Sequence, residues 1–151
     1  MTVVGVDKNP ATRTLTITSE FGVPADRVWR MWSDPRRLER WWGPPTHPAT
    51  VVEHDLRPGG TVSYFVAGPD GDRRTGWWRV LAVEPPRRLT FELGDPDIPT
   101  MTVRVRIDDI DGGTRMVIEV TFPSAEAMDE LLLMGFVEGL STAIGQIDEV
   151  I

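Results

Sequence analysis

Residues 114–151, TRMVIEVTFPSAEAMDELLLMGFVEGLSTAIGQIDEVI, contain the junction that decides the fold. Met116, Ile118, Val120 and Phe122 alternate with polar or β-branched neighbours, the period of a strand with one buried face. Pro123-Ser124 then breaks the alternation, with Ser124 in position to cap a helix. Beyond it Met128, Leu131, Leu132, Gly135, Leu140, Ile144 and Ile147 recur at helical spacing without another proline. The spacing predicts one helix to Ile151, about 40 Å long if continuous. Gly135, Gly139 and Gly145 punctuate it, each lowering helix stability by about 1 kcal/mol relative to alanine. They are expected to permit close packing, or the approach of a ligand.

Upstream, short β-type runs recur at 50–56 (TVVEHDL), 60–67 (GTVSYFVA), 74–83 (RTGWWRVLAV), 88–93 (RLTFEL) and 100–107 (TMTVRVRI). The turn clusters Pro69-Asp-Gly-Asp, Glu84-Pro-Pro, Gly94-Asp-Pro and Asp111-Gly-Gly separate them. Strands joined this closely pair antiparallel. With the alternating run at 12–21 (TRTLTITSEF), the expectation is a seven-stranded antiparallel sheet with one apolar face, preceded by a loose lead-in over residues 1–11. Between the first strand and the meander, Pro24 opens a short helix with Val28, Met31 and Trp32 on one face. Asp34-Pro35 ends it, and a second helix from Pro35 to Trp42 stops at Gly43-Pro44-Pro45. The fold class is α+β, a single domain over 1–151.

Composition bounds the function. The 151 residues carry a net charge of -7, and from Asp108 to Ile151 ten acidic residues face one basic residue, Arg115. An acidic surface repels phosphate backbones, so no nucleic-acid partner is expected. No run approaches the ~20 apolar residues of a membrane span, and the N-terminus lacks the pattern of a signal segment, which places the chain in the cytoplasm. Without cysteine there is no disulfide, thiolate metal site or cysteine nucleophile. His47 and His54 have no second ligand at a recognised spacing, so no metal, cofactor or catalytic residue is assigned. Within Glu53-His54-Asp55, alternation sends His54 to the face opposite its neighbours. Gly59-Gly60 reads as a tight turn. Fifteen of the sixteen basic residues are arginine, Lys8 being the exception, and they read as solvated faces.

Six tryptophans against one tyrosine are the unusual feature: Trp29, Trp32 and the pairs Trp41-Trp42 and Trp77-Trp78. Adjacent rings on a strand point to opposite faces, so they cannot all share one core, and some are free to line a pocket. Methionines at apolar-face positions (Met101, Met116, and Met128 or Met134) suit adaptable lining as well as ordinary packing.

Three local motifs carry a resemblance: Trp41-Trp42-Gly43-Pro44, Asp55-Leu56-Arg57-Pro58-Gly59-Gly60, and Glu84-Pro85-Pro86-Arg87-Arg88-Leu89-Thr90-Phe91. With the element order, they resemble the helix-grip fold of the START and birch-pollen-allergen superfamily, and within it the family named for the activator of the heat-shock protein 90 ATPase. Glu138-Gly139-Leu140 with Ile144 and Ile147 is similar to that family's closing G-W-x-x-x-L-x-x-L pattern, with Leu140 where tryptophan is common. The resemblance implies a cavity between the C-terminal helix and a curved sheet. Trp41, Tyr64, Trp78, Phe91, Met101, Met116, Leu132 and Phe136 are its expected lining. Three functions remain open: a monomeric or homodimeric binder of a small hydrophobic or aromatic molecule, a protein-partner or chaperone co-regulator module, and a cyclase-like or hydrolase-like enzyme. The last would have Arg79, Arg104, Asp55, Glu53 and His54 as its polar groups.

Overall fold

The computed structural model describes residues 2–44, 46–68 and 70–151. Eight antiparallel strands form one open sheet in the order β1-β2-β8-β7-β6-β5-β4-β3. They are β1 (Val3–Asn9), β2 (Thr14–Phe21), β3 (Ala49–His54), β4 (Thr61–Ala67), β5 (Arg73–Glu84), β6 (Arg88–Asp95), β7 (Ile98–Ile110) and β8 (Gly113–Thr121). Five helices accompany them: α1 (Ala25–Ser33) and α2 (Pro35–Trp41) between β2 and β3, then α3 (Ala125–Leu133), α4 (Phe136–Gly145) and α5 (Ile147–Val150) after β8. The helices cover the apolar face, giving the α+β helix-grip arrangement expected from the element order.

Two expectations change. The lead-in is a strand: β1 pairs with β2 from Val3↔Ser19 to Asn9↔Thr14, which makes the sheet eight-stranded rather than seven. The β-branched run Val3-Val4-Gly5-Val6 is the signal for it. The C-terminal helix is also not continuous. Gly135 adopts φ 89°, and the segments on either side of it are bent by 64°. A left-handed glycine ends a helix. The break also ends an apolar run, Leu131 to Met134, that is too wide for one buried stripe. Leu131 is buried, whereas Leu133 and Met134 are 89% and 74% exposed.

The alternation read from sequence sets the core. Leu15 and Ile17 of β2, Leu89 and Phe91 of β6, Met101, Val103, Val105 and Ile107 of β7, and Met116, Ile118 and Val120 of β8 are all buried. The outer face carries ion pairs such as Arg115 with Glu20 at 2.9 Å and Arg104 with Glu119 at 3.5 Å, each contributing little at such exposure. Register shifts interrupt the ladders in β3 (Val51/Glu53), β5 (Val80/Ala82) and β6 (Leu93/Asp95), the kind of irregularity that raises local twist.

Capping fixes the helices. Asp34 closes α1 and caps α2, its side chain accepting from the Arg36 N–H at 2.9 Å. Ser124 Oγ accepts from the Ala127 N–H at 3.0 Å. Among the described residues no single helix is long and apolar enough to cross a membrane.

The family-type motifs are turns under close steric demand. In Arg57-Pro58-Gly59-Gly60, the Gly59 N–H donates to the Val80 carbonyl and the Val80 N–H to the Gly60 carbonyl, both at 2.9 Å, stitching the β3–β4 loop to β5. A Cβ on Gly60 would lie 2.2 Å from the Asp55 carbonyl oxygen. In Glu84-Pro85-Pro86-Arg87, the guanidinium grips Asp109 through two hydrogen bonds of 2.9 and 3.0 Å, and the Arg87 carbonyl accepts from the Ile107 N–H at 2.8 Å. Because a backbone oxygen cannot give way as a side chain does, Gly60→Ala should lower unfolding free energy by about 3 kcal/mol. A control substitution at Gly22 gains no clash of this kind, since a Cβ there meets nothing within 4 Å. Paired urea melts of Gly60→Ala and the wild type measure the loss.

Candidate functional site

The site is an apolar groove of about 500 Å³ between α4, the start of the α2–β3 loop and the end of β6. Trp42 and Leu93 form one wall, and Phe136, Leu140 and Ala143 the other, with Glu138 and Thr142 at the rim. A second, inner void of about 20 Å³ lies against Trp32, Trp42, Leu93, Phe136 and Leu140 and is apolar throughout. Four of its liners also line the groove, so the two spaces are neighbours separated by side chains alone.

The local sequence explains each wall. The second helix stops after Trp41, and the chain turns through Trp42 (φ -82°, ψ 99°) into Gly43 (φ 128°). That turn separates the tryptophan pair. Trp41 goes into the core, where its Nε1 donates to the Met31 carbonyl at 2.9 Å, while Trp42 faces the groove. Gln146, at the end of α4, holds the turn from the far side: its Nε2 donates to the Trp41 carbonyl at 3.2 Å and the Gly43 carbonyl at 2.8 Å. The helix wall depends on Gly139, whose position leaves open space, nothing lying within 4 Å of a Cβ placed there. Its role is therefore not close packing.

Of the eight expected lining residues, Phe136 borders the groove. Trp41, Trp78, Phe91, Met101 and Met116 are fully buried core behind it, and Leu132 packs at the core's edge. Tyr64 is half-buried against Trp42, with ring centroids 6.0 Å apart. The groove takes Trp42, Leu93, Leu140 and Ala143 instead. Leu93 shares a strand face with Phe91, so alternation carried that signal. The choice between Trp41 and Trp42 depended on where α2 ended.

The polar residues considered for chemistry do not converge there. Arg79 and Arg104 are exposed on the outer face, Asp55 pairs with Arg57 at 2.8 Å, and Glu53 accepts from Ser63 Oγ at 3.3 Å. His54 does turn to the opposite face from Glu53, where its Nε2 bonds the Trp32 carbonyl at 3.0 Å and closes the end of α1. Among the described residues no three His, Cys, Asp or Glu side chains gather as a metal-binding group.

One polar group stands behind the Trp42 wall. Burial pushes the Tyr64 phenol up to about 12. The indole N–H of Trp42 opposes the shift, the negative charge of Asp95 adds to it, and the Trp78 N–H opposes it to a smaller degree. Although the Trp78 indole approaches that phenol, its Nε1 is fully buried and makes no hydrogen bond. Tyr64 is the only tyrosine, so an ultraviolet phenolate titration reads this group alone. In the folded protein the phenolate should appear near pH 12, and in urea near the ordinary value of 10. A phenol raised on folding favours the folded state fully below about pH 10, and that contribution is lost as pH rises from about 10 to about 12. Tyr64→Phe should flatten stability over this interval.

Comparisons with known proteins agree with this architecture. Residues 22–151 match the family described as Activator of Hsp90 ATPase homolog 1-like protein. No curated protein matches the chain. The crystal structure of protein Ms6760 from Mycobacterium smegmatis is 46% identical, with a TM-score of 0.90 over 99% of this chain and 96% of that one. A solution structure of a protein from Arthrobacter aurescens is 41% identical, with a TM-score of 0.94 over 99% and 91% of the two chains. The AHSA1 protein from Silicibacter pomeroyi, at 20% identity and a TM-score of 0.72 over 89% and 94%, shares the fold. With the match running from Gly22 to the last residue, through the Trp41-Trp42-Gly43-Pro44 turn and the helices that form the groove, this chain belongs to the Activator of Hsp90 ATPase homolog 1-like family.

Proposed function

We propose that the protein binds a small, apolar or aromatic molecule in the groove between α4 and the Trp42 turn, without performing chemistry on it. The observation that carries this reading is the groove itself: about 500 Å³ lined by Trp42, Leu93, Phe136, Leu140 and Ala143, with Glu138 its only charged lining residue. That volume and lining match small-molecule sites, which are mostly apolar with few polar groups. Leaving such a surface open to water is unfavourable by roughly 25 cal/mol per Å², and an apolar ligand recovers that term. The position of Gly139 supports the reading too, because any side chain there would project into the space the ligand needs.

Leu133 and Met134, 89% and 74% exposed beside the Gly135 bend, favour a second reading in which this apolar tip seats on a protein partner. The two readings use different surfaces, so one variant separates them. Gly139→Leu should fill the groove and, by replacing a helical glycine, add about 0.8 kcal/mol of stability. Wild-type protein should bind a neutral naphthalene dye saturably, with quenching of tryptophan emission through Trp42. Gly139→Leu should raise Tm and lose that binding. Equal dye binding by the two proteins would refute the groove as the site.

A further inference from the structure

The wall formed by Trp42 is thin, and what lies behind it is chemically unlike the groove. The Trp42 ring borders both the groove and the inner void. Its backbone is fixed: its N–H donates to the Leu38 carbonyl at 2.9 Å, its carbonyl accepts from the Ala49 N–H at 3.1 Å, and Gln146 holds the carbonyls on either side. The ring's polar contact is its indole N–H directed at the Tyr64 phenol. It rests by edge contacts on other rings, 5.0 Å from Trp78, 5.4 Å from Trp41, 6.0 Å from Tyr64 and 6.1 Å from Trp32. A side chain pinned at its backbone and held by ring contacts and one N–H contact can rotate without unfolding its loop. Another aromatic ring entering from the groove would restore the contacts that rotation gives up.

Rotation would open a path from the groove to two hydrogen-bond groups. Trp78 Nε1–H is buried without a partner, although the indole is otherwise well placed, stacked on Phe91 with centroids 4.2 Å apart. Buried donors are almost always satisfied, and the Tyr64 phenol approaches this one without completing a hydrogen bond, so the position can take a further acceptor. Tyr64 Oη lies beside it and donates to no protein acceptor among the described residues. No Lys, Arg or His borders the groove or the void, and Asp95 adds negative potential at Tyr64. An anionic head group is mismatched here, whereas a neutral acceptor is matched.

Building on the groove reading above, we propose that the site continues past Trp42. The indole swings aside, and an aromatic ligand ending in a neutral carbonyl takes hydrogen bonds from Trp78 Nε1–H and Tyr64 Oη–H. Trp42 is then the gate, and Tyr64 with Trp78 are the specificity-determining residues, selecting aromatic ketones, esters or amides over hydrocarbons and carboxylates.

Three probes test this on the full chain: the naphthyl ketone dye prodan, its dimethylaminonaphthalene parent without the ketone, and the matching naphthoic acid. Prodan should bind about tenfold more tightly than the parent, as two net hydrogen bonds allow, and the acid should bind least. Tyr64→Phe should weaken prodan about fivefold while leaving the parent unchanged, and Trp42→Ala should speed prodan association. In the wild type, where no variant has to fold, the Trp78 indole N–H resonance should move downfield with prodan and stay in place with the parent. Equal affinity for prodan and parent, with an unmoved Trp78 resonance, would overturn the inner polar end while leaving the groove reading standing. Failure of all three probes to bind would overturn both.

Discussion

The structure turns on Trp32. Its ring is fully buried where the helices after β2 meet the sheet, with neighbouring ring centroids at 4.8 Å (Trp41), 5.7 Å (Trp78) and 6.1 Å (Trp42 and Phe91). Its Nε1 donates to Met116 Sδ at 3.3 Å, and its carbonyl takes the His54 side chain. A single residue thus joins α1 to the turn after α2, to β3, β5, β6 and β8. Each aromatic pair adds roughly 0.5–1.5 kcal/mol beyond its burial, so this hub fixes the two small helices against the sheet at a defined angle. The Trp42 turn, and with it one wall of the groove, is positioned as a consequence.

The opposite wall depends on a break. Helix α3 buries Ala127, Met128 and Leu131 against the core. Had the helix continued straight from there, its next turns would not have followed the same course over the sheet. The 64° bend at Gly135 redirects α4 so that Phe136 packs edge-on to Phe122 at 5.6 Å and Ala143 and Ile144 reach the core. Between these anchors, Gly139 and Leu140 occupy the stretch that passes the groove. Leu140, a side chain of medium size, borders both the groove and the inner void and leaves part of the adjoining space unfilled. Groove volume is therefore set jointly by a bend and by two small or medium side chains.

These features were unequally legible in the sequence. Strand faces followed from period two because the sheet has one buried side, and Met101, Val103, Val105 and Ile107 are buried together as alternation requires. The caps Asp34 and Ser124 followed from side-chain chemistry confined to one turn. What escaped depended on backbone conformation or on distant pairing. Gly135 reads as one helix glycine among three until its φ of 89° is known. The Val3–Asn9 strand is exposed at six of its seven residues, so no buried alternation marks it and its valines are the signal it offers. Trp41 and Trp42 differ only in which side of a helix end they fall, a distinction of a single residue. Helix ends are where sequence patterns are weakest, and here the groove is built at two of them.

That placement separates the residues of the family-type motifs from those that line the groove. Gly43, Gly59, Gly60 and Arg87 serve turns, through positive φ, close backbone approach or a bidentate grip on Asp109. Their constraints are steric and local, and they hold whatever occupies the groove. Leu93, Phe136, Leu140 and Ala143 meet only a requirement to be apolar and of suitable size, which many sequences satisfy. A family recognised through its turns can therefore vary its groove lining freely. On the proposed binding reading, selectivity in this chain comes from the few groups that depart from generic apolar lining: the opening at Gly139, the Trp42 ring, and the polar pair Tyr64 and Trp78 behind it.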